Sequence, residues 1–161
     1  MAESSLRAAR APRKGGLPNA LFVVAAAERP PAELVGVAAE LTITFPWGSL
    51  LRGTLATEDA AAAAGGIAAL LAPWGTAHAL LSIDPRDGLN LPLPASIAQH
   101  DLTARWRCHG LDVQAWRPAS SDEIAAAGSS WARRLGAGRD RAVWRLDLQR
   151  PPSSGHPGDD R

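Results

Sequence analysis

The sequence predicts an α/β protein whose parallel sheet finishes in an antiparallel strand pair, and three observations carry that prediction. Short apolar, β-branched runs alternate with stretches of helical pattern, the signature of successive strand–helix–strand units. Proline and glycine clusters punctuate most of the boundaries between them. The last two strand candidates alternate apolar and polar residues, as antiparallel strands with one wet face do. The 161 residues are 46% hydrophobic and 20% charged. That is enough apolar material for one domain with a core, and it excludes a wholly disordered chain.

The elements follow in order. Residues 1–16, MAESSLRAARAPRKGG, read as a short helix stopped by Pro12 and the Gly15-Gly16 pair. The continuous apolar run at 20–27, in LPNALFVVAAAE, has the length of a buried strand. Pro30-Pro31 open a helix, AELVGVAAE, proline being favourable in a first turn. Leu41-Thr42-Ile43-Thr44-Phe45 is a second strand, ended by Pro46. Residues 56–72 form a helix with Glu58 and Asp59 near its positive end. After a Pro73-Trp74-Gly75 turn, AHALLSI is a third strand. A connector over 86–100 carries Pro92 and Pro94 and runs into a short helix. LDVQAWRP, after His109-Gly110, is a fourth strand. Ser120-Ser121-Asp122-Glu123 is a capped helix start. A loop, GSSWARRLGAGRD, leads into a fifth strand, RAVWRLDLQ, and the tail at 151–161 is expected to be disordered.

Several function classes are excluded. No apolar run approaches the ~18 residues of a membrane span. No apolar segment follows the basic N-terminus at signal-peptide spacing. One cysteine, Cys108, makes no internal disulfide, and no Cys/His pair has metal-ligand spacing. The expectation is a soluble cytoplasmic protein with no metal site. Charge is uneven beneath a formal total of +1. Residues 1–16 carry +3, residues 17–128 carry −5, and residues 129–150 carry +4, through Arg133, Arg134, Arg139, Arg141, Arg145 and Arg150 against Asp140 and Asp147. Two basic ends around an acidic middle suit a local nucleic-acid footprint. The near-total use of arginine over lysine is also what GC-rich coding produces.

Ligands of α/β sheets sit beyond the carboxyl ends of the strands, which directs attention to Ala26-Ala27-Glu28 and Phe45-Pro46-Trp47-Gly48-Ser49. An exposed Trp47 stacks on a nucleobase, worth ~1–3 kcal/mol; a buried one seals a strand-to-helix corner. Both readings stand on sequence. In Gly128-Ser129-Ser130-Trp131-Ala132-Arg133-Arg134-Leu135, burying Trp131 would drag two guanidinium groups inward, which favours exposure. Tryptophans interleaved with arginines are what splayed or flipped bases require. Glu28 reads either as an acceptor for a ligand amine or as a solvated loop residue. His78 reads as a core or edge histidine, and no Ser/His/Asp or Cys/His set, Walker loop or GxGxxG is present.

Together, Asn19 to Glu28, Phe45 to Leu51, and Gly128 to Leu135 with Arg139 and Arg141 behind it resemble the 16S rRNA adenine-1408 N1-methyltransferases, S-adenosylmethionine enzymes of kanamycin–apramycin resistance. The resemblance runs from about residue 1 to 150. It implies a partial Rossmann-like class I methyltransferase sheet with a C-terminal antiparallel strand pair. It implies that Trp47 and Trp131 clamp a flipped adenine of the 30S decoding site, with Phe45 and Pro46 lining the pocket. Ala27 and Glu28 would border the cofactor's adenine, Ser49 would lie near its methionine part, and Ser129, in the loop of the second tryptophan motif, would be a further cofactor-binding residue. Arg133, Arg134, Arg139 and Arg141 would grip rRNA phosphates. Adenine N1 has an in-plane lone pair and loses no proton before attack, so positioning rather than a catalytic base drives transfer.

The sequence departs from the family at the cofactor's main anchors. The family's acidic glycine-rich loop after its first strand, and its ribose-holding carboxylate after its second, have no counterpart here. The first two strands are expected to be missing, leaving the run at 20–27 to pair directly on the next strand or in a partner chain. Residues 1–150 are therefore expected to be the C-terminal portion of a methyltransferase domain, Met1 being an internal methionine of a longer frame. The expected partner is 16S rRNA in the 30S subunit, engaged by a monomer without a membrane. The alternative is a non-catalytic rRNA-binding remnant of the same family.

Overall fold

The structure is a computed structural model that describes residues 10, 12–17, 19–134 and 136–152. The helix expected at 1–16 and the tail expected from 151 lie largely outside those residues. Of the former, only a short 3-10 turn at Pro12–Lys14 falls within them.

Strand β1 (Ala38–Thr44) is followed by helix α1 (Gly48–Thr54), helix α2 (Ala61–Leu70) and strand β2 (Leu71–Leu81). Helix α3 (Gln99–Arg107) leads to strand β3 (Asp112–Pro118). Two short helices, α4 (Ser121–Ala126) and α5 (Ser130–Arg134), precede strand β4 (Trp144–Gln149). The sheet order is β1-β2-β4-β3. β1 and β2 are parallel, as their helical crossover demands, and β4 runs antiparallel to both β2 and β3. The expected architecture, a parallel start and an antiparallel finish, is present. No helix among the described residues is long and apolar enough to cross a membrane.

Period-2 alternation gives the sheet two unlike faces. Ile43, Ala77, Ala79, Leu81, Leu146 and Leu148 point into the core. Opposite them, Leu51, Leu55, Ile67, Leu102 and Trp106 of the helical layer are fully or almost fully buried. The other face presents Thr42, His78 and Asp147, in register across β1, β2 and β4. Trp116 and Trp144 stack at 4.9 Å between ring centroids, and the Trp116 indole N–H donates to the Ile97 carbonyl at 2.9 Å. Of the four tryptophans expected, from their places beside turns or in strands, to be packing residues, Trp106, Trp116 and Trp144 pack in the core, whereas Trp74 is 63% exposed on the β2 bulge.

Four expectations are corrected. Residues 20–27 form no strand. Leu21 and Val24 are 81% and 80% exposed, and only an isolated bridge links Ala26 to Arg29. The run pairs neither with β1 nor with any other described strand. The end of the run and the chain after it lie on α2 instead, where Ala27 and Pro30 sit against Gly66. AELVGVAAE forms no α-helix: it gives a 3-10 turn at Ala32–Leu34, and its last three residues open β1. Gly36 then adopts φ 72 and donates its N–H to the Ala69 carbonyl at 2.7 Å, turning the chain into β1. Pro73-Trp74-Gly75 is a bulge inside β2, not a turn before it. The β1–β2 register shifts there, and Gly75 passes so near the Ala38 carbonyl that a Cβ would meet it at 2.6 Å. Finally, the helix expected at 56–72 is shortened to a 3-10 turn at Glu58–Ala60 plus α2, while α1 arises where no helix was expected.

Gly66 decides how residues 27–30 dock. In most helix interiors Gly→Ala gains about 1 kcal/mol. Here the added methyl collides with the Ala27 carbonyl oxygen. Gly66→Ala is expected to lose about 1–3 kcal/mol, the usual cost of overpacking, measured as a lower midpoint of urea unfolding.

Candidate functional site

The site is assembled at the carboxyl end of β1. Phe45 ends the strand with φ 50 while its N–H still donates to the Leu80 carbonyl at 2.8 Å. Its ring is buried against Ala132 and Val143, with Leu80, Ile124 and Ala137 around them. Pro46 is buried too. Trp47 occupies the residue before α1 in extended conformation and is 48% exposed. Of the two readings open on sequence, the structure takes the exposed one. Ala132 belongs to α5, so the cluster it shares with Phe45 and Val143 brings the segment bearing Trp131 to the same strand end as Trp47.

The loop expected at 128–140 contains the five-residue helix α5. The Ser129 hydroxyl accepts the Ala132 N–H at 3.2 Å and so caps that helix. The Ala137 N–H donates to the Ala132 carbonyl at 3.0 Å, folding the following loop back onto it. A cleft of about 650 Å³ opens beside this unit, lined by Ser121, Ile124, Ala132, Arg133, Gly138 and Arg139 among others. Arg133, Arg134 and Arg139 are exposed. Arg141 is not a surface cation: its side chain is 9% exposed and paired with Asp87, itself 8% exposed. The free chain therefore offers three of the four expected phosphate contacts.

Ala27, Glu28 and Ser49 meet near the start of α1. The Ser49 side chain beside it, then the Glu28 backbone N–H and the nearby Arg29 charge, hold the Glu28 carboxyl below its usual range. Glu28 is therefore an ionised acceptor at neutral pH. It stands half-buried rather than as a free loop carboxylate.

Behind α4 lies a charged network that sequence reasoning saw only in part. Ser120 caps α4 and Glu123 completes the capping box, as the sequence suggested. Glu123 also takes two hydrogen bonds from Arg117 at 2.6 and 2.9 Å and one from Arg145 at 2.7 Å. Arg145 Nε continues to Asp147 at 2.7 Å, and Asp147 meets His78 Nδ1 at 2.6 Å. His78 is thus a polar-face residue of the sheet. The Asp87 turn was missed altogether. Its signal was present as Asp84-Pro85-Arg86-Asp87-Gly88, a capping-box pattern with carboxylates at both ends, closed by a glycine at φ 65.

The Arg117 guanidinium, then the Ser120 N–H, press the Glu123 carboxyl far below its ordinary value of 4.5. A native value below the unfolded one adds stability that is complete above the unfolded value and is lost as pH falls through the native one. Amide exchange at Ile124, corrected for intrinsic rate, should therefore accelerate on acidification below about pH 4.5. Leu146 and Leu148 should hold their protection, and Glu123→Gln should remove the acid step at Ile124.

The family model described as NpmA: 16S rRNA (adenine(1408)-N(1))-methyltransferase matches residues 1–149. A 16S rRNA (adenine(1408)-N(1))-methyltransferase of Streptoalloteichus hindustanus is 36% identical over 147 residues, covering 88% of this chain and 66% of the relative. An rRNA methyltransferase of Saccharopolyspora hirsuta is 38% identical over 141 residues, covering 83% and 88%. Among solved structures, a tryptophan-to-alanine variant of the 16S rRNA (adenine(1408)-N(1))-methyltransferase from Catenulisporales acidiphilia, with cosubstrate SAM, superposes with a TM-score of 0.80. It is 33% identical, with 100% of this chain and 73% of that one covered. The 16S rRNA methyltransferase KamB superposes at 0.77 with 37% identity, covering 94% and 72%. The chain spans about two thirds of the length of the Streptoalloteichus relative.

Proposed function

This chain belongs to the 16S rRNA (adenine(1408)-N(1))-methyltransferase family, and we propose that it methylates N1 of a flipped adenine in the decoding site of the 30S subunit. The methyl donor is S-adenosylmethionine, the setting the cytoplasm, the acting form a monomer, and the outcome aminoglycoside resistance. The observation that carries this reading is the buried cluster of Phe45, Ala132 and Val143, which gathers the Trp47 and Trp131 segments at one strand end.

In this reading Trp47 and Trp131 hold the target adenine between them, over a floor made by Phe45 and Pro46. The adenine N1 lone pair lies in the ring plane, so clamping the ring aims the attacking atom without removing a proton. Two indole faces also tolerate the positive charge that methylation places on the base. Arg133, Arg134 and Arg139 contact phosphates, which positions the enzyme but does not name a sequence.

The described residues fit the donor at one edge. Glu28, ionised and hydrogen-bonded by Ser49, is an acceptor suited to an exocyclic amine, with Ala27 leaving room for a flat ring. When bound, S-adenosylmethionine supplies an electrophilic methyl group on a sulfonium. The chain's share is to hold its adenine edge and the target ring. That single edge also supports the second reading, an rRNA-binding remnant that grips the subunit without transfer.

The deciding experiment is methyl transfer from labelled S-adenosylmethionine to purified 30S subunits, followed by primer extension. Label and a stop at the decoding-site adenine are expected. Binding without label would establish the remnant instead, and neither binding nor label would overturn both. Trp47→Ala or Trp131→Ala should reduce transfer by roughly 10–100-fold, the worth of a ~1–3 kcal/mol stacking contact, with circular dichroism unchanged. Replacing Arg133, Arg134 or Arg139 by Glu should weaken subunit binding and flatten its salt dependence, by about 0.7–0.9 in log–log slope for each cation lost. Glu28→Ala should weaken S-adenosylmethionine binding by calorimetry; an unaltered Kd would return Glu28 to a purely structural place.

A further inference from the structure

Arg141 carries a charge that the rest of its loop displays outward, yet it is turned into the protein. Its Nη2 donates to Asp87 and its Nε to the Ser82 hydroxyl at 3.3 Å, at the exit of β2. Asp87 is set in advance for this contact. The same carboxylate oxygen accepts the Asp84 N–H at 3.0 Å, and the Asp87 N–H returns to the Asp84 carbonyl at 2.9 Å. The turn is held by hydrogen bonds of its own that do not involve Arg141. On the other side, the Arg141 carbonyl accepts the Gly138 N–H at 2.9 Å, and Asp140 and Arg139 donate to the Gly136 carbonyl at 2.8 and 3.0 Å. One side chain therefore joins the 136–141 loop, folded on α5, to the turn that leaves the sheet 54 residues earlier.

We propose that Asp87 is a positioning residue for the arginine-bearing loop: by holding Arg141 inside, it fixes where Arg139 and α5 stand at the strand ends. A buried ion pair is costly to break from one side, because the remaining charge must reach water. The loop must then open to solvate Arg141, and its order is lost. A loop ordered beforehand loses less conformational freedom when a ligand is bound. The consequence for RNA rests on the functional reading above; the consequence for loop order does not.

The test is hydrogen exchange by NMR on the whole chain carrying Asp87→Asn, which keeps shape and an acceptor for the Asp84 N–H while removing the charge. Amides of Gly138 and Asp140 should exchange about tenfold faster, as local opening becomes easier, while those of Ala79, Leu146 and Leu148 stay protected. Arg141→Lys, which keeps a cation within reach of Asp87, should hold most of the loop's protection. Unchanged exchange at 138–140 in Asp87→Asn would overturn the proposal, as would equal loss of protection across the sheet in both variants. Binding to 30S subunits is measured alongside, and Asp87→Asn is expected to weaken it. A loosened loop with unaltered binding would sever Asp87 from RNA recognition. Wild-type protein that does not bind 30S would overturn the functional reading instead, leaving exchange to judge Asp87.

Discussion

Everything at the candidate site depends on the backbone of Phe45. In a regular strand, residues two apart share a face, so Phe45 and Trp47 would both face inward or both outward. The left-handed φ of 50 at Phe45 and the proline after it break that parity. The phenyl ring is buried and the indole is left 48% exposed. A bulky residue in this region is strained by about 1–3 kcal/mol, which burial of the ring against Ala132 and Val143 offsets. The same strain that exposes Trp47 thus recruits α5, and with it the second tryptophan.

The sheet was legible where pattern is local. Thr42-Ile43-Thr44, Ala77 to Leu81, Val113 to Trp116 and Leu146 to Leu148 alternate or cluster as strands do, and each lies in one. The run at 20–27 has the same local character and still forms no ladder, because a strand is a relation between neighbours that no single segment encodes. Gly36 shows the reverse case. It reads as a tolerable helix glycine, but a hydrogen bond to Ala69 and a left-handed turn use it to start β1. The bulge at Trp74 likewise depends on distant chain. Its N–H donates to the Arg150 carbonyl and the Arg150 N–H returns to Gly75, at 3.0 and 2.9 Å.

The aromatic parts of the site were legible for a related reason. Proline, tryptophan and glycine fall together in Phe45 to Gly48, and glycine precedes tryptophan in Gly128 to Trp131. Proline fixes the backbone and glycine frees it to turn, so both corners are readable from local sequence. The charges were harder to read. Arg139 and Arg141 lie two residues apart in one basic stretch, yet one is exposed and the other is buried on Asp87. Which arginine turns inward is decided by a carboxylate elsewhere in the chain. Glu28 and Ser49 were chosen separately as cofactor neighbours and prove to be neighbours of each other, a convergence that chain order alone does not announce.

The position of β4 has a consequence for how such a chain is made. It is the last strand among the described residues, yet it stands inside the sheet, between β2 and β3. During synthesis the N-terminal units emerge first and can collapse early. The ladder that joins β3 to the rest, however, waits for Trp144 to Gln149. Until those residues leave the ribosome, β2 and β3 both present open edges, and the contacts that close them span long stretches of sequence, which slows folding. β4, made after the other described strands, is therefore the strand that unites the halves. A stalled or clipped nascent chain would leave two unpaired strand edges open to whatever lies nearby.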